Sequence, residues 1–156
     1  MPDTISLTTD GLYCRAGGFH IDPWNPVERA VITHAHRDHL VADCGTYITS
    51  AEGAALVRLR LTDAARVETL EYGEPHRLGG SELSLHPAGH IRGSAQIRVE
   101  QADRTTVVTG DFKDDADPTC TPFEPLECDA LIAESTCGLP IYRWPEPQTV
   151  FEEIDA

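Results

Sequence analysis

The stretch VITHAHRDHL, Val31 to Leu40, is the hardest constraint on this chain. It holds three of the seven histidines and an aspartate within six positions, directly behind an apolar run. Imidazoles crowded this closely repel one another when protonated, so the cluster is costly unless a cation holds it. "AVIT" (Ala30–Thr33) is short and β-branched, which predicts a buried strand with the histidines at its exit. Alternate residues on extended backbone share a face, so His34 and His36 can reach one ion. Asp38 and His39, adjacent at an expected strand-to-helix turn, diverge and can reach a second ion.

Two more strand exits carry the same chemistry. His90 follows Gly89 in "PAGHIRGS", and Asp111 follows Gly110 in "VVTGDF". Loops at the ends of neighbouring strands are where a rigid scaffold usually presents functional groups. Taken singly, His90 or Asp111 reads as an ordinary surface residue and Asp38 as a helix cap. Six ligand-type residues at three strand exits read as a metal centre. By ligand type the set suits zinc, with manganese or iron also compatible.

The remaining pattern predicts strands with a few helices between them, an α/β or α+β fold. "AEGAALVRLRL" (Ala51–Leu61) reads as a helix, and "SELSLHPA" as a strand ending at Pro87. "SAQIRVEQADRTTVVTGD" reads as a hairpin turning at "QADR". "DALIAEST" (Asp129–Thr136) reads as another buried strand, and "TVFEEIDA" as a helix beginning at a Thr149 cap. His20, His76 and His86 read as surface or packing residues. "YRWP" could stack on a base but is read as a packed loop, and Lys113 and Arg92 as exposed contacts.

At 156 residues and 17.1 kDa the chain suits one domain. Its five cysteines are odd in number and widely spaced, without a C-x-x-C, and read as reduced, mostly packing thiols; Cys120 and Cys128 pairing or binding a metal is the weaker alternative. The N-terminus lacks a signal-peptide pattern and no run is apolar enough to span a membrane, so the expected location is cytoplasmic. A formal charge of −14 opposes a broad nucleic-acid-binding face, although bound divalent ions would offset part of it.

"HAHRDH", "PAGHIRGS" and "TGDF" together resemble the H-x-H-x-D-H and later motifs of the metallo-β-lactamase superfamily, over nearly the whole chain. The resemblance implies an αββα sandwich with a two-metal site at one edge. By position it implies His34, His36 and His90 on the first metal, Asp38 and His39 on the second, and Asp111 bridging both. Asp22 in "FHIDPW" resembles an early aspartate that orients a metal-binding histidine. "LIAESTCGLP" resembles the acidic motif of the β-CASP nucleases, with Glu134 as the acid and Cys137 where an aromatic residue is usual. "ESTCG" argues against a thioesterase or lactamase.

The combined motifs are most similar to the bacterial ligase-associated DNA damage response exonucleases. The resemblance therefore implies trimming of DNA ends beside an ATP-dependent DNA ligase and a helicase, by a metal-bridging hydroxide, with RNA as the alternative substrate. Asp38, Asp111 and Glu134 are then the catalytic candidates, and two divalent ions, zinc or else manganese, the cofactors. One departure stands out. No histidine follows Asp111, whereas the family has a further metal-binding histidine and an inserted β-CASP domain. Residues 1–156 therefore read as the N-terminal part of a metallo-β-lactamase-type domain, expected to bind the second metal weakly, to turn over poorly and to expose a hydrophobic edge. An inactive metal-binding fragment is the alternative from another class.

Overall fold

A computed structural model describes residues 4–136, 138–143, 145 and 147–154. Two β-sheets pack face to face. The first runs β1 (Ser6–Thr8), β2 (Gly11–Cys14), β3 (Phe19–Ile21), β4 (Arg29–Val31), β5 (Thr46–Ser50) and β6 (Val67–Leu70), in that spatial order. Its β1–β2 and β2–β3 pairs are antiparallel, and β3 through β6 are parallel. The second sheet is ordered β11 (Ala130–Ile132), β10 (Arg104–Val108), β9 (Ala95–Gln101), β8 (Ser81–Pro87), β7 (His76–Leu78). It is antiparallel except for the β10–β11 pair.

Side-chain alternation along the strands builds the layers. Val31, Ile48, Phe19 and Ile21 of the first sheet meet Leu83, Leu85, Ile97 and Val99 of the second in the central core. Ala30, Ile32 and Tyr47 point the other way, where Val57 of helix α1 (Ala54–Arg60) covers them. These are the α–β–β layers of an αββα sandwich. Helix α2 (Pro147–Ile154) is exposed over most of its length and supplies no fourth layer among the described residues.

Three sequence expectations are corrected in detail. The strand expected over Asp129–Thr136 is short and lies at a sheet edge, with Leu131 60% exposed, because only β10 flanks it. Helix α2 starts at Pro147, so Thr149 sits inside its first turn; the fixed φ of proline suits a first helical position. No helix follows the histidine loop. Residues 37–39 form a turn, and the chain then runs irregularly to β5, so Asp38 caps no helix. The hairpin turn falls at "QADR": Gln101 pairs with Arg104, and Ala102 takes the positive φ of 56° that a tight two-residue turn demands.

Cys14, Cys44, Cys120 and Cys128 are free thiols, which removes the Cys120–Cys128 pairing; Cys137 lies outside the described residues. No helix among the described residues is long and apolar enough to cross a membrane.

Candidate metal centre

Five strands deliver their C-terminal ends to one edge of the sandwich. Asp22 follows β3, His34–His39 follow β4, His90 follows β8, Asp111 follows β10 and Glu134 follows β11. Because both sheets contribute, residues up to about a hundred positions apart meet there. One donor atom each from His34, His36, His90 and Asp111 falls within 4.8 Å of the others, a spacing that fits a single ion.

His34 shows most directly that the set fits a cation. Its side chain is fully buried, and its Nε2 has no hydrogen-bond partner among the described residues. An orphaned buried polar atom costs about 1–3 kcal/mol, which a metal bond would recover. Burial pushes its pKa down to about 2, assisted by the neighbouring His39, His36 and His90. The ring is therefore neutral and presents a lone pair. Burial lowers His90 too, partly opposed by Asp111. The four imidazoles pack tightly, with His34 centroids 4.6 Å from His36, 4.2 Å from His39 and 5.0 Å from His90.

Asp111 faces both ways. Its Oδ2 lies 3.7 Å from His34 Nε2 and 3.6 Å from His90 Nε2, while its Oδ1 lies 3.3 Å from His39 Nε2. Asp38 joins the second group, its Oδ2 3.7 Å from the same His39 nitrogen. Asp38 and His39 thus converge rather than diverge. The first group has four donors around a buried histidine. The second has three, and the Asp38 side chain is 81% exposed.

The ring orientations trace back to Asp22. Its Oδ2 accepts hydrogen bonds from His39 Nδ1 at 2.8 Å and from the Thr33 hydroxyl at 2.6 Å, and its Oδ1 accepts from Thr33 N at 2.8 Å. With the Thr33 proton committed to Asp22, its oxygen accepts from His34 Nδ1, 3.0 Å away. Both rings then carry the proton on Nδ1 and turn a bare Nε2 toward Asp111. Asp22 holds this place with a positive φ of 42°, a strained backbone tolerated where the surroundings fix it. For His39, burial alone would lower the pKa, but the Asp22 hydrogen bond and the charges of Asp22, Asp111 and Asp38 raise it.

Thr33 escaped sequence reasoning, although it stands immediately before His34. We expect Thr33→Val to weaken binding of the first ion about 10–100-fold, the usual effect of losing such a supporting contact, with Thr33→Ser restoring it. Competition with a chromogenic chelator measures this directly.

Glu134 sits further out. Its Oε1 accepts from Phe112 N at 3.1 Å and its Oε2 from Thr136 N at 3.2 Å. Burial raises its pKa, but these hydrogen bonds and nearby His90 outweigh burial and lower it. The carboxylate is ionised and pins the residue next to Asp111. Glu134, Asp38, His39 and Asp111 line a cavity of about 400 Å³ whose walls are otherwise Leu7, Leu12, Ile21, Trp24 and Ile132, with others. Trp24, 61% exposed, is the second residue that the sequence reading passed over.

The other singled-out residues have side-chain partners of their own or face solvent. His20 stacks on Tyr13, His86 lies against Ser84 and Glu124, and Lys113 pairs with Asp117. Arg92 is exposed. Of "YRWP", Trp144 lies outside the described residues.

The neutral histidines impose a pH dependence on the metal-free protein. His34 and His90 have folded pKa values below those of the unfolded chain, so the unfolded state binds more protons as pH falls below about 6.5. Stability is then lost with acidification, while the raised His39 opposes the loss. Urea unfolding of chelator-treated protein should show stability lower by about 1 kcal/mol at pH 5.5 than at pH 7.5. Equal stability at both values would contradict the buried neutral His34.

Two packed sheets, an outer helix and the H-x-H-x-D-H loop at their shared edge define the fold, that of part of a metallo-β-lactamase-type sandwich. No family model matches the chain. It is 39% identical to a probable DNA ligase of Opitutus terrae over 92% of this chain and 14% of that protein. It is 30% identical to ribonuclease TTHA0252 of Thermus thermophilus, over 88% of this chain and 38% of that one. An RNase J-like protein of Methanocaldococcus jannaschii is 28% identical over 82% of this chain and 36% of its own length. The chain thus spans well under half of each relative. Among solved structures, the native FEZ-1 metallo-β-lactamase of Legionella gormanii aligns at TM-score 0.43 and 22% identity, over 58% of this chain and 44% of that one.

Proposed function

We propose that this chain carries the metal-binding part of a metal-dependent phosphodiesterase of the β-CASP type, acting on nucleic-acid ends. The observation that carries this reading is the double-facing Asp111 between two histidine groups. His34, His36, His90 and Asp111 would hold the first divalent ion, and Asp38, His39 and Asp111 the second. Zinc suits these donors, with manganese the alternative. Such a pair supplies a water of lowered pKa and positive charge beside phosphoryl oxygens.

The protein's own contribution is orientation. Asp22 and Thr33 fix the tautomers of His39 and His34. The exposed Asp38 carboxylate accepts a hydrogen bond from the attacking water and aims it at phosphorus. Glu134 holds Phe112 N and with it the position of Asp111. The apolar wall of the 400 Å³ cavity limits competing water.

The probable DNA ligase among the relatives supports DNA as the first substrate class, and with it our reading of action on DNA ends beside a ligase. The ribonuclease and RNase J-like relatives support RNA equally, so the second reading is an RNA-processing nuclease. Coverage of 14–38% of these relatives is compatible with reading residues 1–156 as one part of a larger domain arrangement. The deciding experiment incubates 5′-labelled DNA and RNA oligonucleotides with Zn²⁺ or Mn²⁺ and counts bound metal by mass spectrometry. Cleavage of either polymer with two ions bound supports the enzyme. One tightly held ion without cleavage supports the metal-binding fragment instead.

A further inference from the structure

The metal centre opens on a second depression besides its own cavity. Trp24 and Asp38 form the ridge between the two, lining both. Beyond the ridge lies a groove of about 770 Å³, bordered by Arg37, Arg60 and Leu59. Its charge is unusual for this molecule. The chain carries 26 acids against 12 bases, yet the groove has two arginines and only Asp38 as an acid, which the centre itself uses. Among the described residues neither Arg37 nor Arg60 has an ion-pair or hydrogen-bonded side-chain partner, and both are exposed. Trp24 presents an exposed indole beside them.

Unpaired guanidinium groups flanking an open aromatic face match a single-stranded polynucleotide, with phosphates on the arginines and a base stacked on the ring. A duplex keeps its bases stacked inward and offers Trp24 nothing to stack on. In a strongly acidic protein a polyanion is repelled nearly everywhere else, so local positive charge also sets the direction of approach. Continuity with Asp38 places the far end of the groove at the reacting centre.

We infer that the Trp24–Arg37–Arg60 groove is a single-strand binding track that feeds a polynucleotide end to the metal centre. The inference rests on the phosphodiesterase reading for its purpose, but its test does not need cleavage. Fluorescence anisotropy of a short labelled oligothymidylate, an oligouridylate and a DNA duplex is followed in excess EDTA. The protein should bind the single strands and discriminate against the duplex. Trp24→Ala and Arg60→Ala should each weaken single-strand binding about tenfold, as expected for one lost stacked base or phosphate contact. Arg37→Gln combined with Arg60→Ala should flatten the salt dependence by about 1.4 in log–log slope. Arg77→Gln, on strand β7 at the edge of the second sheet, should bind as the parent does.

The oligothymidylate and oligouridylate arms tell DNA from RNA, and preference for either supports the track. Absence of single-strand binding, equal duplex binding, or affinities untouched by the groove substitutions would each overturn it. Groove-dependent binding in a protein that holds no metal would leave the track standing and remove the phosphodiesterase reading instead.

Discussion

If the proposed two-ion phosphodiesterase reading holds, Asp111→Asn should leave the protein folded, with bound metal reduced from two ions to at most one and any phosphodiester cleavage lower by at least about 10³-fold. Each carboxylate oxygen of Asp111 faces a different histidine group, at 3.6–3.7 Å on one side and 3.3 Å on the other. An amide offers one neutral oxygen and a nitrogen donor, so it can serve one group and repels a cation from the other. Losing a charged contact made directly at a reacting centre commonly costs about 10²–10³ in rate, and here two ions are affected together. Metal counting by mass spectrometry and turnover of a 5′-labelled oligonucleotide check the two halves separately. Full metal content in the variant would mean that Asp111 bridges nothing, and the two-ion reading would end.

Gly89→Ala should act through the backbone. Gly89 has a φ of +70°, and a Cβ built there would lie 2.2 Å from the Lys113 carbonyl and 3.0 Å from Phe123 N. Left-handed backbone costs an L-residue about 1–2 kcal/mol by itself. The clash is with main chain, which cannot rotate away as a flexible side chain would. Total destabilisation should therefore reach about 3 kcal/mol, a fall in Tm on the order of 10 °C. Because Gly89 sets the direction of His90, metal affinity should fall with stability. Urea unfolding with and without Zn²⁺ measures both. A variant as stable as the parent would show that the close approach of Gly89 to the Lys113 carbonyl is dispensable.

The neighbouring Gly110 explains why such glycines precede two of the ligands. Its φ is +58°, and a Cβ there would lie 2.6 Å from Thr33 Cβ. The turn carrying Asp111 is thus pressed onto the same threonine that links Asp22 to His34. Nothing in "VVTGDF" or "VITHAH" read separately announces this contact. It exists because β4 and β10, in different sheets, end at the same edge.

Local periodicity was legible wherever packing agreed with it. Ala30 and Ile32 alternate with Val31 across a strand buried on both sides, and Leu83 and Leu85 mark one face of β8. The misreadings fall where tertiary neighbours decide. "DALIAEST" has the apolar run of a core strand, yet only β10 flanks it and Leu131 stays exposed. A helix after Asp38 was a reasonable continuation of a strand exit. The chain instead stays irregular there, where Tyr47 Oη donates to Val41 O at 2.9 Å and accepts from Cys44 N at 2.9 Å.

By itself the sequence determined which side chains could hold a cation, because imidazole and carboxylate chemistry travels with the residue and the His34–His39 spacing is local. Only the tertiary structure decided which atoms of those residues face one another. It set the two faces of Asp111, the proton on Nδ1 of His34 and His39, and the placing of Trp24 between two cavities. Those are relations among strand ends drawn from two sheets, and no local pattern encodes a distance between segments that meet only when the sheets pack.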